Sequence, residues 1–527
     1  MKAMSAGFTN GRSATAIDVS PRFRSPAANS TVIAEVLSKG KQTARQLYPV
    51  IVAAQIVAVV YIAFSGRGIH AFAYAMIAFG ALFNLRSWLL TTAAGIPLAA
   101  TLAMQDLIWY GIPFITNHKC LALESDNDIL KAAACVLMFD LSLAAGRSLG
   151  LNATKPTGGR VMVLDLENVQ ASNRLVKLVL FVVFVCMLLE WSFVSGRIYQ
   201  FLAFIPFSSI NIVRTALSAG ESGAFLLLGF LLGRGTLSKT HQFAFIAIYL
   251  LVFTARVTSI LLSSCVALIM AVMLGLYLGS GKIPYRVLLA SAVVLGFLNF
   301  GKFEMRARYW QTGFESVSVS QLPNYFGNWI GYSVDKITNR VDDKVSSNAD
   351  DLGQSPLERF TNIEMVTYAF HAVDDLGYPT LNGYTYAVCW QAIVPRLFWP
   401  NKPRSHIGQE ILNVHFDRQT QKDTFTTYIS WGIIPESIGN FGSLFGPLVS
   451  GLVLGAILGW MEKKTINLSL FSLPVILVCF LWISLSIAIL QAMSVWLSSM
   501  FQVWTLLICV LYPFMRRVPV RQIISAR

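Results

Sequence analysis

Charge is what this chain has least of. Only 13% of its 527 residues are Asp, Glu, Lys or Arg against 55% hydrophobic, and the mean hydropathy of +0.59 is one that water-soluble chains of this size rarely reach. Cysteine is sparse and unpatterned: seven residues with no CxxC and no metal-ligand spacing, which speaks against zinc ribbons and thioredoxin-like motifs. Five of them, Cys135, Cys186, Cys265, Cys479 and Cys509, lie in apolar runs as small hydrophobes, leaving Cys120 and Cys389 as the pair with a disulfide open to it. There is no GxxxxGK[ST], HExxH or GxSxG, so nucleotide-driven and zinc-enzyme chemistry have no motif to rest on. The two halves do not repeat each other, so the inverted-repeat pattern of many secondary transporters gets no support.

What fills the sequence instead is a series of apolar runs of about 17 to 22 residues, the length an α-helix needs to cross roughly 30 Å of hydrocarbon. The runs are apolar on every face, and the alternation of outer-membrane barrel strands is missing. The expected fold is an all-α polytopic membrane protein. Helices are expected near 47–64, 69–85, 88–104, 129–145, 175–195, 215–234, 240–255, 258–279, 285–300, 443–461, 469–490 and 495–514, about twelve spans. The segment YQFLAFIPFSSINIV, 199–213, is short and Pro-interrupted and is expected to be re-entrant or interfacial.

The net charge of +14 does not gather into one patch interleaved with aromatics, so nucleic acid is not an expected partner. It follows topology. Lys39, Lys41 and Arg45 precede the first helix and Arg516, Arg517 and Arg521 follow the last, which places both termini on the cytoplasmic side. Threading then puts Arg86, the 146–174 loop, Arg234, Lys239, Lys282, Arg286, Lys463 and Lys464 on that side too. The expected divisions are a disordered cytoplasmic tail at 1–45, helices in 46–300, one large outer loop at 301–442, helices in 443–515 and a tail at 516–527. A connection as long as 301–442 carries function or a domain. Within it, SPLE at 355–358 reads as a capping box opening an amphipathic helix near 356–375, stopped by Gly377 and Pro379. Its apolar stripe is expected on the membrane surface or against the spans.

Two segments of that loop carry the candidate chemistry. In VPRLFWPNKPR, 394–404, three prolines fix φ and hold Arg396, Lys402 and Arg404 on a stiff irregular backbone, while Phe398 and Trp399 offer apolar faces. Fixed guanidiniums suit phosphate oxygens; an interfacial aromatic belt with basic neighbours is the plainer reading. In TTYISWGIIPESIGNFGSLFG, 426–446, Glu436 and Asn440 are four apart at a Gly- and Pro-rich, broken helix entrance. A carboxylate there is a candidate base, an ordinary helix-entry carboxylate being the alternative. His406 and Glu410 are further base candidates. Arg197, Arg214 and Arg256 violate the inward bias of positive charge, which favours an anion site over snorkelling to lipid headgroups.

With VPRLFWPNKP and PESIGNFGSLFG both in view, the chain resembles the bacterial oligosaccharide repeat-unit polymerases, the Wzy-type family of O-antigen and exopolysaccharide polymerases. The matching positions are Pro395-Arg396, Trp399-Pro400, Lys402-Pro403, Glu436 and Asn440-Phe441-Gly442, with GYPTLNGYTY at 377–386 and the arginine of FTAR, Arg256, in the family's order. Thr-Ala precedes Arg256 where relatives often have Gly-Ser. The resemblance implies a GT-C-like glycosyltransferase of the bacterial inner membrane, joining undecaprenyl-diphosphate-linked repeat units at the outer face without metal or cofactor. It also implies membrane lipid, a chain-length regulator and a flippase as partners. Arg396, Arg256, Arg404, Lys402, Trp399, Arg214 and Asn440 are then expected to bind substrate, with Glu436 or His406 as base. The rival readings are a ligase moving finished polymer to another acceptor, and a flippase or exporter of lipid-linked saccharide.

Overall fold

The computed structural model describes residues 33–91, 95–153, 155, 157–164, 173–196, 207–260, 262–310, 317–338, 361–394, 399, 401–425 and 428–520. Along the chain come α1 (Ile33–Phe64), α2 (Gly68–Leu90), α3 (Leu98–Asp106), α4 (Asp126–Ala153) and β1 (Arg160–Leu164). Then follow α5 (Asn173–Val194), α6 (Phe207–Gly233), α7 (Lys239–Thr258), α8 (Leu262–Ser280), α9 (Tyr285–Phe300), α10 (Lys302–Trp310) and α11 (Leu322–Ile337). The last third holds α12 (Ile363–Phe370), α13 (Ile407–His415), α14 (Ile433–Thr465), α15 (Leu473–Ala488), α16 (Met493–Leu511) and β2 (Met515–Pro519). Among the described residues seven helices are long and apolar enough to cross a bilayer, α9 and α10 form one further bent pair at 53°, and four shorter apolar helices accompany them. The protein is an all-α polytopic membrane protein carrying one small antiparallel ribbon, β1 with β2.

Small residues decide how the helices meet. A Cβ on Gly146 of α4 would stand 2.1 Å from the Leu452 carbonyl oxygen of α14, and one on Gly455 of α14 would stand 2.2 Å from that of Leu143. The backbones of α4 and α14 therefore touch, as small-xxx-small faces allow in lipid, where packing must replace the hydrophobic drive. The same device joins α6 to α8, with Gly275 against the Leu226 carbonyl at 2.2 Å and Gly279 against that of Phe230 at 2.3 Å.

The ends of the bundle differ. At one, the strand end, β1 pairs with β2, Val163 bridges Ser472, and Thr157 donates to the Lys464 carbonyl at 2.8 Å. The charged connections expected on one side of the membrane, at 146–164, 463–472 and 515–519, gather here. At the other, the loop end, the described residues of 361–431 fold over the turn after α3 and over α4, α14 and α16, with Asn362 bonding Trp109 and Trp431 and Ser430 bonding Leu490.

Several expectations need correction. Ile33–Arg45, placed in a disordered tail, is the start of α1. Val36 and Leu37 are buried there, and Lys41 and Arg45 bond the Thr91 and Leu89 carbonyls at the C-terminus of α2, where the helix dipole favours cations. Met515–Pro519, at the head of the second tail, is a strand because its backbone pairs with the 146–174 loop. The second half of 199–213 is helical from Phe207 as the opening of α6, while 197–206 lies outside the described residues. The amphipathic helix is shorter than expected, α12 followed by a π turn at His371–Asp375, and Ile363, Val366 and Phe370 are wholly buried against the bundle. Its capping box at 355–358 lies outside the described residues, while Gly377 at φ +71° ends it as expected. Cys120 and Cys389 are free thiols, Cys120 beside Thr361 and Cys389 bonded to the Thr385 carbonyl.

Candidate functional site

Gly432 and Gly442, with φ of +91° and +84°, bracket the first two and a half turns of α14. Gly432 turns the chain into the helix, and at Gly442 the helix breaks so sharply that Gly446 packs against the Ser437 carbonyl. Residues 431–440 are all buried as a result. Glu436 and Asn440, one turn apart, share a face. Thr385 donates Oγ1 to Glu436 Oε1 at 2.7 Å, and Asn440 Nδ2 donates to Thr385 Oγ1 and to the Glu436 carbonyl, both at 2.7 Å. The Met493 N–H, at the first turn of α16, donates to Glu436 Oε2 at 2.6 Å. Both carboxylate oxygens are thus occupied and the side chain has no exposure. Glu436 ties the 377–393 segment, α14 and α16 together.

The proline-rich stretch lies beside this knot. Gly408, in the first turn of α13, packs on Ser494 and on Thr385 itself. Just before it, Arg404 donates Nη2 to Glu410 Oε2 at 2.6 Å and Nη1 to the Thr424 carbonyl at 3.0 Å, and its guanidinium lies 4.2 Å from the Phe425 ring centroid. The His406 ring stacks on Tyr428 at 4.7 Å and 12°, with Nδ1 3.2 Å from Ser405 Oγ. Burial and the neighbouring Arg404 push its pKa below the ordinary 6.5, which keeps the imidazole neutral. Lys402 donates to the Val394 carbonyl at 2.7 Å, and half-buried Trp399 stacks on Trp390 at 5.7 Å. Arg396 lies outside the described residues.

Arg256 is elsewhere. It is buried between α5, α6 and α7, paired with Glu221, 4.0 Å from Glu190, and bonded to the Ser264 carbonyl at 2.9 Å. Arg214 belongs to α6, but its side chain is outside the described residues, as is Arg197. The structure therefore brings together Trp399, Lys402, Arg404, His406, Glu436 and Asn440, and sets Arg256 apart from them.

Sequence reasoning missed Thr385, Tyr428 and Glu221. Thr385 lies within a segment already singled out, but nothing local shows that its hydroxyl reaches Glu436. Glu221 was findable, since a lone acid in an apolar run calls for a partner. A further acid at the loop end, Glu364, has its carboxyl pKa raised by burial, opposed by Arg418 and reinforced by Glu124. Among the described residues no group of three or more His, Cys, Asp or Glu is placed to hold a metal. No protein-family model, curated protein or solved structure matches the chain.

Proposed function

We propose that the protein is a lipid-linked glycosyltransferase that joins undecaprenyl-diphosphate-linked oligosaccharide repeat units into a polysaccharide at the outer face of the bacterial inner membrane. In this reading the seven long helices, the bent pair and the four shorter apolar helices are twelve spans. Both termini and the strand end then face the cytoplasm, and the part of the 301–442 connection that follows α10 faces the periplasm. One observation carries the proposal: the proline-stiffened cations, a neutral histidine and the Glu436–Asn440 knot, far apart in sequence, converge at one end of the bundle through Thr385 and Gly408.

The chemistry follows from which groups are free to act. Glu436 is wholly buried, with its oxygens held by the Thr385 hydroxyl and the Met493 N–H, so its role is to position the site, and His406 is the base. The hydroxyl oxygen of an incoming unit bonds to the anomeric carbon of the growing chain, and the bond from that carbon to the diphosphate oxygen breaks, its electron pair leaving on the diphosphate. The hydroxyl proton passes to the imidazole. Arg396, Lys402 and half-exposed Arg404 take up the charge of the leaving diphosphate, Arg404 exchanging Glu410 for a phosphate oxygen. Buried Arg256 holds α5, α6 and α7 together through its two glutamates.

Purified protein given a lipid-linked repeat unit should build a ladder of products. His406→Ala should slow it roughly 100- to 10,000-fold, the worth of a general base, and Arg396→Ala should abolish it with expression intact. Transfer only to a separate acceptor would make the protein a ligase, and movement of labelled lipid across liposomes without lengthening would make it an exporter. Full ladders from both variants would dismiss the site.

A further inference from the structure

We propose that Asp106, Asp140 and Asn84 form a buried site for one small monovalent cation, a proton or a sodium ion, inside the helix bundle. This does not depend on the reading of the loop end.

Asp106 closes α3 immediately before a π turn at Leu107–Gly111, and Asp140 sits midway along α4. Neither has any exposure. Their carboxyl groups face each other within hydrogen-bonding range, in space that exists because α2 presents Gly80, where a Cβ would stand 2.7 Å from Asp140 Oδ2. One turn further along α2, buried Asn84 enters the same contact. Its Nδ2 donates to the Gly80 carbonyl at 3.1 Å and to the Asp140 carbonyl at 2.8 Å, which settles the orientation of the amide. Its Oδ1 is left with no donor, and so are both carboxylate oxygens of Asp106 and both of Asp140, among the described residues.

The four carboxylate oxygens of the facing aspartates, and the amide oxygen of the neighbouring Asn84, are therefore out of reach of water with no donor bonded to them among the described residues. Ionised carboxylates have acceptors alone, so two in contact need a positive species between them. Burying either one uncompensated costs several kcal/mol in a protein interior, and ionisable groups in a membrane interior mark function by default.

Among the described residues the surroundings supply no counter-charge. The nearest cation along α4, Arg147, lies two turns away, about 10 Å, and is held by Glu462. On α14, Glu436 is bound to Thr385 and Met493, and on α2, Tyr74 is bound to Gln55. Tyr110, in the π turn, lies near both aspartates, and its hydroxyl accepts from Asn362 Nδ2 at 3.4 Å. A phenol can donate one bond, which leaves four of the five acceptors still open. The π turn itself is a feature that recurs at functional sites.

Infrared spectroscopy of the full-length protein in liposomes, with its aspartates labelled with carbon-13, tests the proposal. A proton site gives a protonated-carboxyl band at neutral pH that carries the isotope shift and disappears in the double variant Asp106→Asn/Asp140→Asn. A sodium site gives instead a rise in melting temperature when sodium replaces potassium, present in the native protein and lost in the double variant. Either result supports the site. The native protein showing neither a labelled carboxyl band nor a sodium response would overturn it, and because that reading uses the unaltered chain, a variant that fails to fold does not protect the idea. A band that survives in that double variant would also overturn it.

Discussion

The helix α14 buries a glutamate at each end, and the two are held in different ways. At the strand end Glu462 meets a full charge: Arg147 donates Nε to Oε2 at 2.7 Å and Nη2 to Oε1 at 2.8 Å, a two-point fork made by two helices whose backbones touch. At the loop end Glu436 meets only neutral donors, a threonine hydroxyl and one backbone N–H, both brought in by other segments. The first arrangement depends on two side chains. The second depends on where the whole 377–393 segment and the start of α16 are placed, so Glu436 reports the docking of the loop and Glu462 reports the packing of the bundle.

Removing the guanidinium is the most damaging way to probe this contrast. Arg147→Ala leaves Glu462 buried without a partner and should cost about 3 to 5 kcal/mol, measured by denaturant unfolding in detergent, whereas replacing both residues with methionine should recover most of that loss. At the other end, Glu436→Gln keeps the shape but replaces one of the two acceptors with an amide NH2, so that the Thr385 hydroxyl or the Met493 N–H loses its acceptor, and should cost about 1 to 3 kcal/mol. A Gln variant as damaged as Arg147→Ala would erase the distinction between the ends. The Gln variant should also make the 377–393 segment more open to proteolysis, which Arg147→Ala at matched stability should not do.

The smallest effect concerns acidity. Because His406 has a pKa below the ordinary 6.5, it stays neutral at that pH and above, and the proposed polymerisation should hold as the pH drops past 6.5. Activity should fall only as the pH passes through the depressed value, when the imidazole takes up a proton and can no longer accept one. Substituting Arg404 with Gln removes the neighbouring charge and should move that fall toward higher pH. A pH–rate profile with its acid limb unmoved would separate His406 from the chemistry.

Much of this was legible before any coordinates. Most of the apolar runs lie where the helices are, though the one expected at 88–104 straddles the end of α2 at Leu90 and the start of α3 at Leu98, the span there being Leu98–Thr116; Glu436 and Asn440 share a helix face broken by glycine, as their spacing suggested. The glycine faces of α4, α6, α8 and α14 stand in the sequence as Gly146-xxx-Gly150, Gly229-xxx-Gly233, Gly275-xxx-Gly279 and Gly451-xxx-Gly455-xxx-Gly459 but went unread, and which face meets which is not written there. Residues 33–45, misjudged as disordered, show the opposite failure: Lys41 and Arg45 look like solvated topology signals until the carbonyl end of α2 is placed beside them.

By itself the sequence determined that this chain lives in lipid as helices, because hydropathy and run length are local properties and hydrocarbon leaves the backbone few other ways to satisfy its own hydrogen bonds. Only the tertiary structure decided which charges are spent on each other and which are left over. Arg147 finds Glu462 across 315 residues while Asp106 finds only another aspartate, and no spacing rule reaches across helices whose neighbours are chosen by packing.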